Sequence, residues 1–229
     1  LSNLQPGLLG PHIEPLRARI RLLMETGDHS AAEVVKRIRI LNMASRSFEA
    51  RHFEVMASAL LKRQRLLITH YNRHTDEHSQ REVSPQRLVN YRGNWYLDAW
   101  CHLRKGLRSF GIDAIEQVEP TTSKARHVAD KKLDATFTAS YGIFSGKQTH
   151  KAVLRFSPQS ARWVANEQWH PEQQCHYDEA GHYVLELPYG NDTELVMDIL
   201  RHGPDCEVLA PPALRNKVRA RLQEALKAY

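Results

Sequence analysis

The chain has 229 residues, a net charge of +6, 41% hydrophobic and 25% charged residues, the composition of a globular protein able to hold one large domain or two small ones. No apolar run approaches the roughly 20 residues of a membrane-spanning helix, and the first residues lack the basic-then-apolar pattern of a secretory signal, so a cytoplasmic location is expected. Cys101, Cys175 and Cys206 lie far apart and form no CxxC pair, which argues against a disulfide framework or a zinc knuckle.

In chain order, residues 11–64 read as helices. Ile13, Leu16, Ile20 and Leu23 recur at three- and four-residue spacing before Gly27, a second helix covers AAEVVKRIRIL, and a third runs through SFEARHFEVMASALLKRQR with Phe53, Met56, Leu60 and Leu61 on one face. Three short amphipathic helices with basic outer faces resemble a connector, assigned to residues 1–64, more than an independent core.

At Leu66 the period changes. LLITHY, the polar turn NRHTDEHSQ, REVSPQRLVNY, the tight turn Arg92-Gly93-Asn94, WYLDAWCHL and LRSFGIDAI read as short antiparallel strands over residues 65–122, and such strands can close into a small barrel. Residues 123–147 return to helix as a linker, from Ala125 to Leu133 and into LDATFTASYGIFSG. Residues 148–229 follow the order βαββαβα, which resembles a ferredoxin-like α+β module. Trp163 and Trp169 in this part are most simply core.

Charge is uneven along the chain. Residues 62–108 hold ten Lys or Arg against four Asp or Glu, an excess that suits an anionic partner such as nucleic acid or a nucleotide, or a merely solvated surface. Within that region, alternation along NWYLDAWCHLRKGLRSF puts Trp95, Leu97, Ala99, Cys101 and Leu103 on one face and Tyr96, Asp98, Trp100, His102 and Arg104 on the other. The first set is wholly apolar and is expected inside the barrel. The second combines rings, which accept a stacked base, with guanidinium, which matches phosphate oxygens; neighbouring strands would add Tyr71, Ser84, Arg87 and Arg108. Alternatively, Tyr96 and Trp100 cover the barrel against the helices or a second subunit, with Arg104 paired to Asp98.

Three histidines, His70, His74 and His78, recur every four residues. That is a metal-like spacing on a helix, but here it spans a strand end and a polar turn, so no metal site and no cofactor is expected. The segment LRNKVRARLQEALKAY carries Arg215, Lys217, Arg219 and Arg221 and reads as a solvated amphipathic helix rather than a phosphate contact. No GxSxG, Walker loop or Rossmann fingerprint is present.

The tripeptide Trp95-Tyr96-Leu97, with Tyr71, Ser84-Pro85, Leu88-Val89, and Arg104 followed by Arg108, Phe110, Asp113 and Ile115, resembles the WYL-domain family of bacterial transcriptional regulators. The region from LDATFTASYGIFSG through Arg155-Phe156 to the PPALR helix resembles the extension that often follows such a domain. The resemblance implies an Sm-like or SH3-like barrel binding a nucleotide or nucleic acid, with a pocket of Tyr71, Ser84, Arg87, Tyr96, His102, Arg104 and Arg108. It also implies promoter DNA as a partner, read by a winged helix-turn-helix that is not visible in residues 1–64; with Leu1 as the start, removal of that domain is expected. Ala114 departs from the family, which commonly has arginine there. The expectation is an α+β chain, not an enzyme, that senses an anionic effector and dimerises, with Trp100 adding stacking surface. Direct binding of single-stranded nucleic acid without small-molecule sensing is the alternative, and a metal-dependent nucleotide hydrolase using the histidine cluster is a third.

Overall fold

The computed structural model describes residues 46–137, 141–142 and 150–229. The first two predicted helices lie outside the described residues. The chain divides into two compact units, residues 1–128 and 129–229, each with its own core, and both sheets are antiparallel. The α+β expectation therefore holds. Among the described residues no helix is long and apolar enough to cross a membrane.

In the first unit, α1 (Ala50–Leu61) leads into β1 (Gln64–Asn72), β2 (Glu77–Tyr91), β3 (Asn94–Cys101), β4 (Gly106–Gly111) and β5 (Ile115–Lys124). The strand order is β4-β3-β2-β1-β5. The outer strands β4 and β5 make no ladder with each other, so the pairing does not show the closed barrel expected.

Leu66 and Ile68 of β1, Val83 of β2, Leu97, Ala99 and Cys101 of β3 and Phe110 of β4 build one core with Phe53, Met56, Ala57 and Ala59 of α1. Predicted Leu60 and Leu61 are not in that core. Leu61 is 59% exposed, and the small residues Ala57 and Ala59 take the buried positions because they let the helix backbone approach the sheet closely. Helix α1 thus packs on this sheet, where the sequence suggested only a connector.

Turn chemistry fixes the register. Arg92 and Gly93 both have positive φ (48° and 76°), the backbone of a two-residue hairpin turn that follows the twist of its strands, and they place Tyr91 opposite Asn94. Further along, Pro85 pairs with Ala99 but Arg87 with Asp98, so Gln86 is a β-bulge that reverses the parity of β2. Strand β5 was not anticipated. Only Ile115 of it is buried, so an edge strand of mostly exposed residues carries no hydrophobic alternation to read. The expected strand LRSFGIDAI ends at Gly111 and continues as a short 3-10 turn, Ile112–Ala114.

The second unit contains α2 (Asp130–Phe137), β6 (His150–Phe156), α3 (Pro158–Val164), β7 (Gln174–Tyr177), β8 (Tyr183–Tyr189), α4 (Thr193–Arg201), β9 (Cys206–Ala210) and α5 (Pro212–Leu226). From β6 the order is βαββαβα, and the sheet runs β7-β8-β6-β9, the arrangement of a ferredoxin-like module followed by one helix. Helix α2 begins at Asp130 rather than Ala125. Ser157 caps α3 by accepting from the Ser160 N–H, with Pro158 at the first helical position. Asn191 Oδ1 accepts from the Thr193 N–H at the start of α4.

Trp163 is 76% exposed, contrary to the core position expected, because α3 turns Ala161 and Val164 inward instead. Trp169 does pack on the core, stacked between Tyr141 and His202. On α5, Arg215 pairs with Glu207, Lys217 with Asp192 and Arg221 with Glu224.

Candidate ligand-binding site

Cross-strand partners in an antiparallel sheet share a face. Ser84 lies opposite Trp100 and Arg87 opposite Asp98 on the β2–β3 pair, while Asp98 faces Ser109 and Trp100 faces Leu107 on the β3–β4 pair. Simple alternation would have separated Ser84 from Arg87; the bulge at Gln86 brings them to the same side. The apolar set resolves as expected for Leu97, Ala99 and Cys101. Trp95 packs edge-on against Phe53 with centroids 5.0 Å apart. Leu103 is 62% exposed, because β3 ends at Cys101 and residues 102–105 form a turn.

Ser84, Trp100 and His102 form the centre of the outer face. Ser84 is fully buried, and its Oγ lies 2.9 Å from His102 Nε2. The same oxygen accepts from the Arg126 backbone N–H at 2.9 Å, and the Arg126 guanidinium lies over the Trp100 ring, Cζ 4.0 Å from its centroid. Burial lowers the pKa of His102 below the ordinary histidine value, helped by the positive charge of Arg65 and opposed by Glu82. Arg65 pairs with Glu82 at 3.3 Å.

Asp98 is buried and accepts from Ser109 Oγ at 2.6 Å, in place of the Arg104 pairing of the alternative reading. Burial raises its pKa, while the Ser109 hydrogen bond and the Arg87 charge act against that rise. Tyr96 sits further along β3, where its hydroxyl accepts from Arg46. Arg46 and Arg73 both pair with the buried carboxylate of Asp113, at 3.3 and 2.6 Å.

The remaining expected residues do not gather at this centre. Tyr71 pairs across from His78, six residues along β2 from Ser84 or about 20 Å of extended strand. Its hydroxyl donates to Asp76 and its ring stacks on His78. Arg104 lies exposed in the β3–β4 turn. Arg108 is exposed too but pairs with Ala99, which puts it on the opposite face from Trp100. Among the described residues Arg104 and Arg108 make no hydrogen bond or ion pair. Of the three histidines, His70 packs edge-on against Phe110 and His78 pairs with Glu116. Among the described residues no group of His, Cys, Asp and Glu is arranged to hold a metal.

Sequence reasoning missed Arg126, Gln86 and Arg65. Arg126 lies in a segment that reads as helix, and nothing local in its sequence places it over Trp100. A signal existed for the bulge, since Pro85 lies inside the strand and strand proline is confined to edges, strand starts and bulges.

Comparison with known proteins agrees with this architecture. A WYL domain matches residues 51–120 and a WCX domain residues 148–226. The chain is 25% identical over 238 residues to Protein PafC of Mycobacterium leprae (strain TN), covering 100% of this chain and 68% of that protein. It is 28% identical over 153 residues to the Uncharacterized HTH-type transcriptional regulator YobV of Bacillus subtilis (strain 168), covering 65% of this chain and 47% of that protein. The solved proteasome accessory factor B/C (PafBC) of Arthrobacter aurescens is 24% identical over 81% of this chain and 28% of that one, with a TM-score of 0.36, too low to carry a structural argument. The chain therefore spans between about half and two thirds of the curated relatives it matches. It carries a WYL domain followed by a WCX domain.

Proposed function

We propose that the chain is the effector-sensing and dimerising portion of a bacterial transcriptional regulator, with the WYL sheet curled into an Sm-like barrel that takes an anionic nucleotide or nucleic acid on its outer face. The observation that carries this is the Ser84–His102 hydrogen bond beside the Trp100 ring, with Arg65 and Arg87 around it. A ring offers a stacking surface to any base, the guanidinium groups match phosphate oxygens, and Ser84 and His102 orient the ligand by hydrogen bonds. Tyr96 and Arg104 extend the basic and aromatic surface along β3, Tyr71 lies at its far end, and Arg108 adds charge from the other face of the sheet. The role is regulatory rather than enzymatic, and a relative carries the name of an HTH-type transcriptional regulator. In the whole protein, promoter DNA would be read by a winged helix-turn-helix, and ligand preference for one arrangement of two subunits would set DNA affinity.

A second reading, direct binding of single-stranded nucleic acid without sensing, is favoured by Arg104 and Arg108. Arg104 in the β3–β4 turn and Arg108 on the other face carry exposed positive charge outside the Trp100 centre, which suits a long polyanion better than a mononucleotide. The test is titration of the chain with short single-stranded oligonucleotides, mononucleotides and cyclic nucleotides, for wild type and Trp100→Ala. Saturable binding of one class, lost in the variant, supports the sensing site; affinity that grows with strand length and falls steeply with salt selects the second reading. Binding of neither class overturns both.

A further inference from the structure

The segment after β5 does not leave the sheet freely. The Ala125 N–H donates to Arg63 O at 2.8 Å, and the Arg126 N–H donates to Ser84 Oγ at 2.9 Å. Gln86 Nε2 donates to Arg126 O at 2.8 Å, and Gln86 Oε1 accepts from the Val128 N–H at 3.2 Å. Gln86 is the bulge residue, buried to 8% exposure, and Val128 is buried beside it. Both ends of one bulged side chain are therefore committed to holding residues 126–128 against the outer face.

The strap uses the groups that a ligand would need. Ser84 Oγ already accepts from a backbone amide, and one face of Trp100 is covered by a guanidinium at stacking distance. Arg126 is itself exposed, so its side chain can swing off the ring without opening the core. Val128 ends the first unit and Ala129 begins the second.

We propose that residues 125–128 form an autoinhibitory latch on the WYL face. Arg126 occupies the stacking position on Trp100, and a base-bearing anion binds by displacing it, which releases the strap from Ser84 and Gln86 and so alters the tether to the WCX unit. This inference rests on reading the Trp100 face as the ligand site. A ligand can drive the release only to the extent that it prefers the open strap.

Arg126→Lys tests it without changing charge, since lysine keeps the cation but lacks the planar guanidinium that stacks on an indole. The full chain is titrated at low salt with a short oligothymidylate, and amide exchange at Arg126 and Val128 is followed by NMR with and without it. The latch predicts slow exchange at both amides in the free chain, faster exchange when the oligonucleotide is bound, and about two- to four-fold tighter binding by Arg126→Lys. Binding that is lost in Trp100→Ala while both amides stay protected and Arg126→Lys binds no tighter overturns the latch and leaves the site reading intact. Binding indifferent to Trp100→Ala, or absent from wild type and Arg126→Lys alike, overturns the site reading and the latch with it.

Discussion

Ser84 Oγ lies 2.9 Å from His102 Nε2 and 2.9 Å from the Arg126 amide nitrogen. One fully buried hydroxyl thus joins β2, the end of β3 and the segment that leads out of the first unit. Polar groups gathered in this way stabilise a fold only while each keeps its partner.

Ser84→Ala removes the acceptor of the Arg126 amide and the partner of His102, and the methyl group cannot replace either bond. The expected cost is about 1–2 kcal/mol, read as a lower urea midpoint at unchanged slope. A loss under a few tenths of a kcal/mol would mean that water takes over both roles.

Register separates Trp100 from Arg108, although both fall in the stretch that first suggests a site. Trp100→Ala is expected to weaken oligonucleotide binding by about five- to 150-fold, from the roughly 1–3 kcal/mol of a base stacked on an aromatic ring. Arg108→Ala, on the other face, removes only long-range charge, so its effect should fade as salt rises. Fluorescence anisotropy at two salt concentrations distinguishes them, and equal salt-independent losses would contradict the strand register.

His102 provides the pH dependence. Its folded-state pKa lies below the ordinary value of about 6.5, so the unfolded chain binds the proton more readily. The stability contribution of the neutral ring is complete above that value and declines as pH falls through the interval down to the depressed folded pKa. An anion beside the ring has the opposite preference, so oligonucleotide affinity should rise over the same fall in pH. His102→Gln should flatten the affinity profile in isothermal titrations at several pH values; an unchanged profile would place the titrating group elsewhere.

Helix α1 is part of the WYL core. Met56 is fully buried among β-sheet residues, so Met56→Ala is expected to cost about 2–5 kcal/mol, whereas Leu61→Ala, at 59% exposure, should stay within about 0.5 kcal/mol. Chemical denaturation of the two variants checks this. Equal effects would mean that the helix does not pack on the sheet as described.

The sequence by itself determined the elements whose signal is local. Apolar alternation identified β1 and β3 and the buried row Leu97, Ala99 and Cys101; the Arg92-Gly93 turn located the hairpin; and the strand-helix order announced the ferredoxin-like second unit. The WYL tripeptide and its companions carried the family. What only the tertiary structure decided depends on contacts between segments distant in the chain. The bulge at Gln86 reversed the parity of β2 and so joined Ser84 to Arg87, while the register of β4 turned Arg108 away from them. Strand β5 is held by pairing with β1 rather than by a hydrophobic pattern of its own. Arg126 reaches Trp100 because Gln86, some 40 residues earlier in the sequence, anchors its backbone. A one-residue change in register moves every following side chain to the other face, and no local periodicity records where that change occurs.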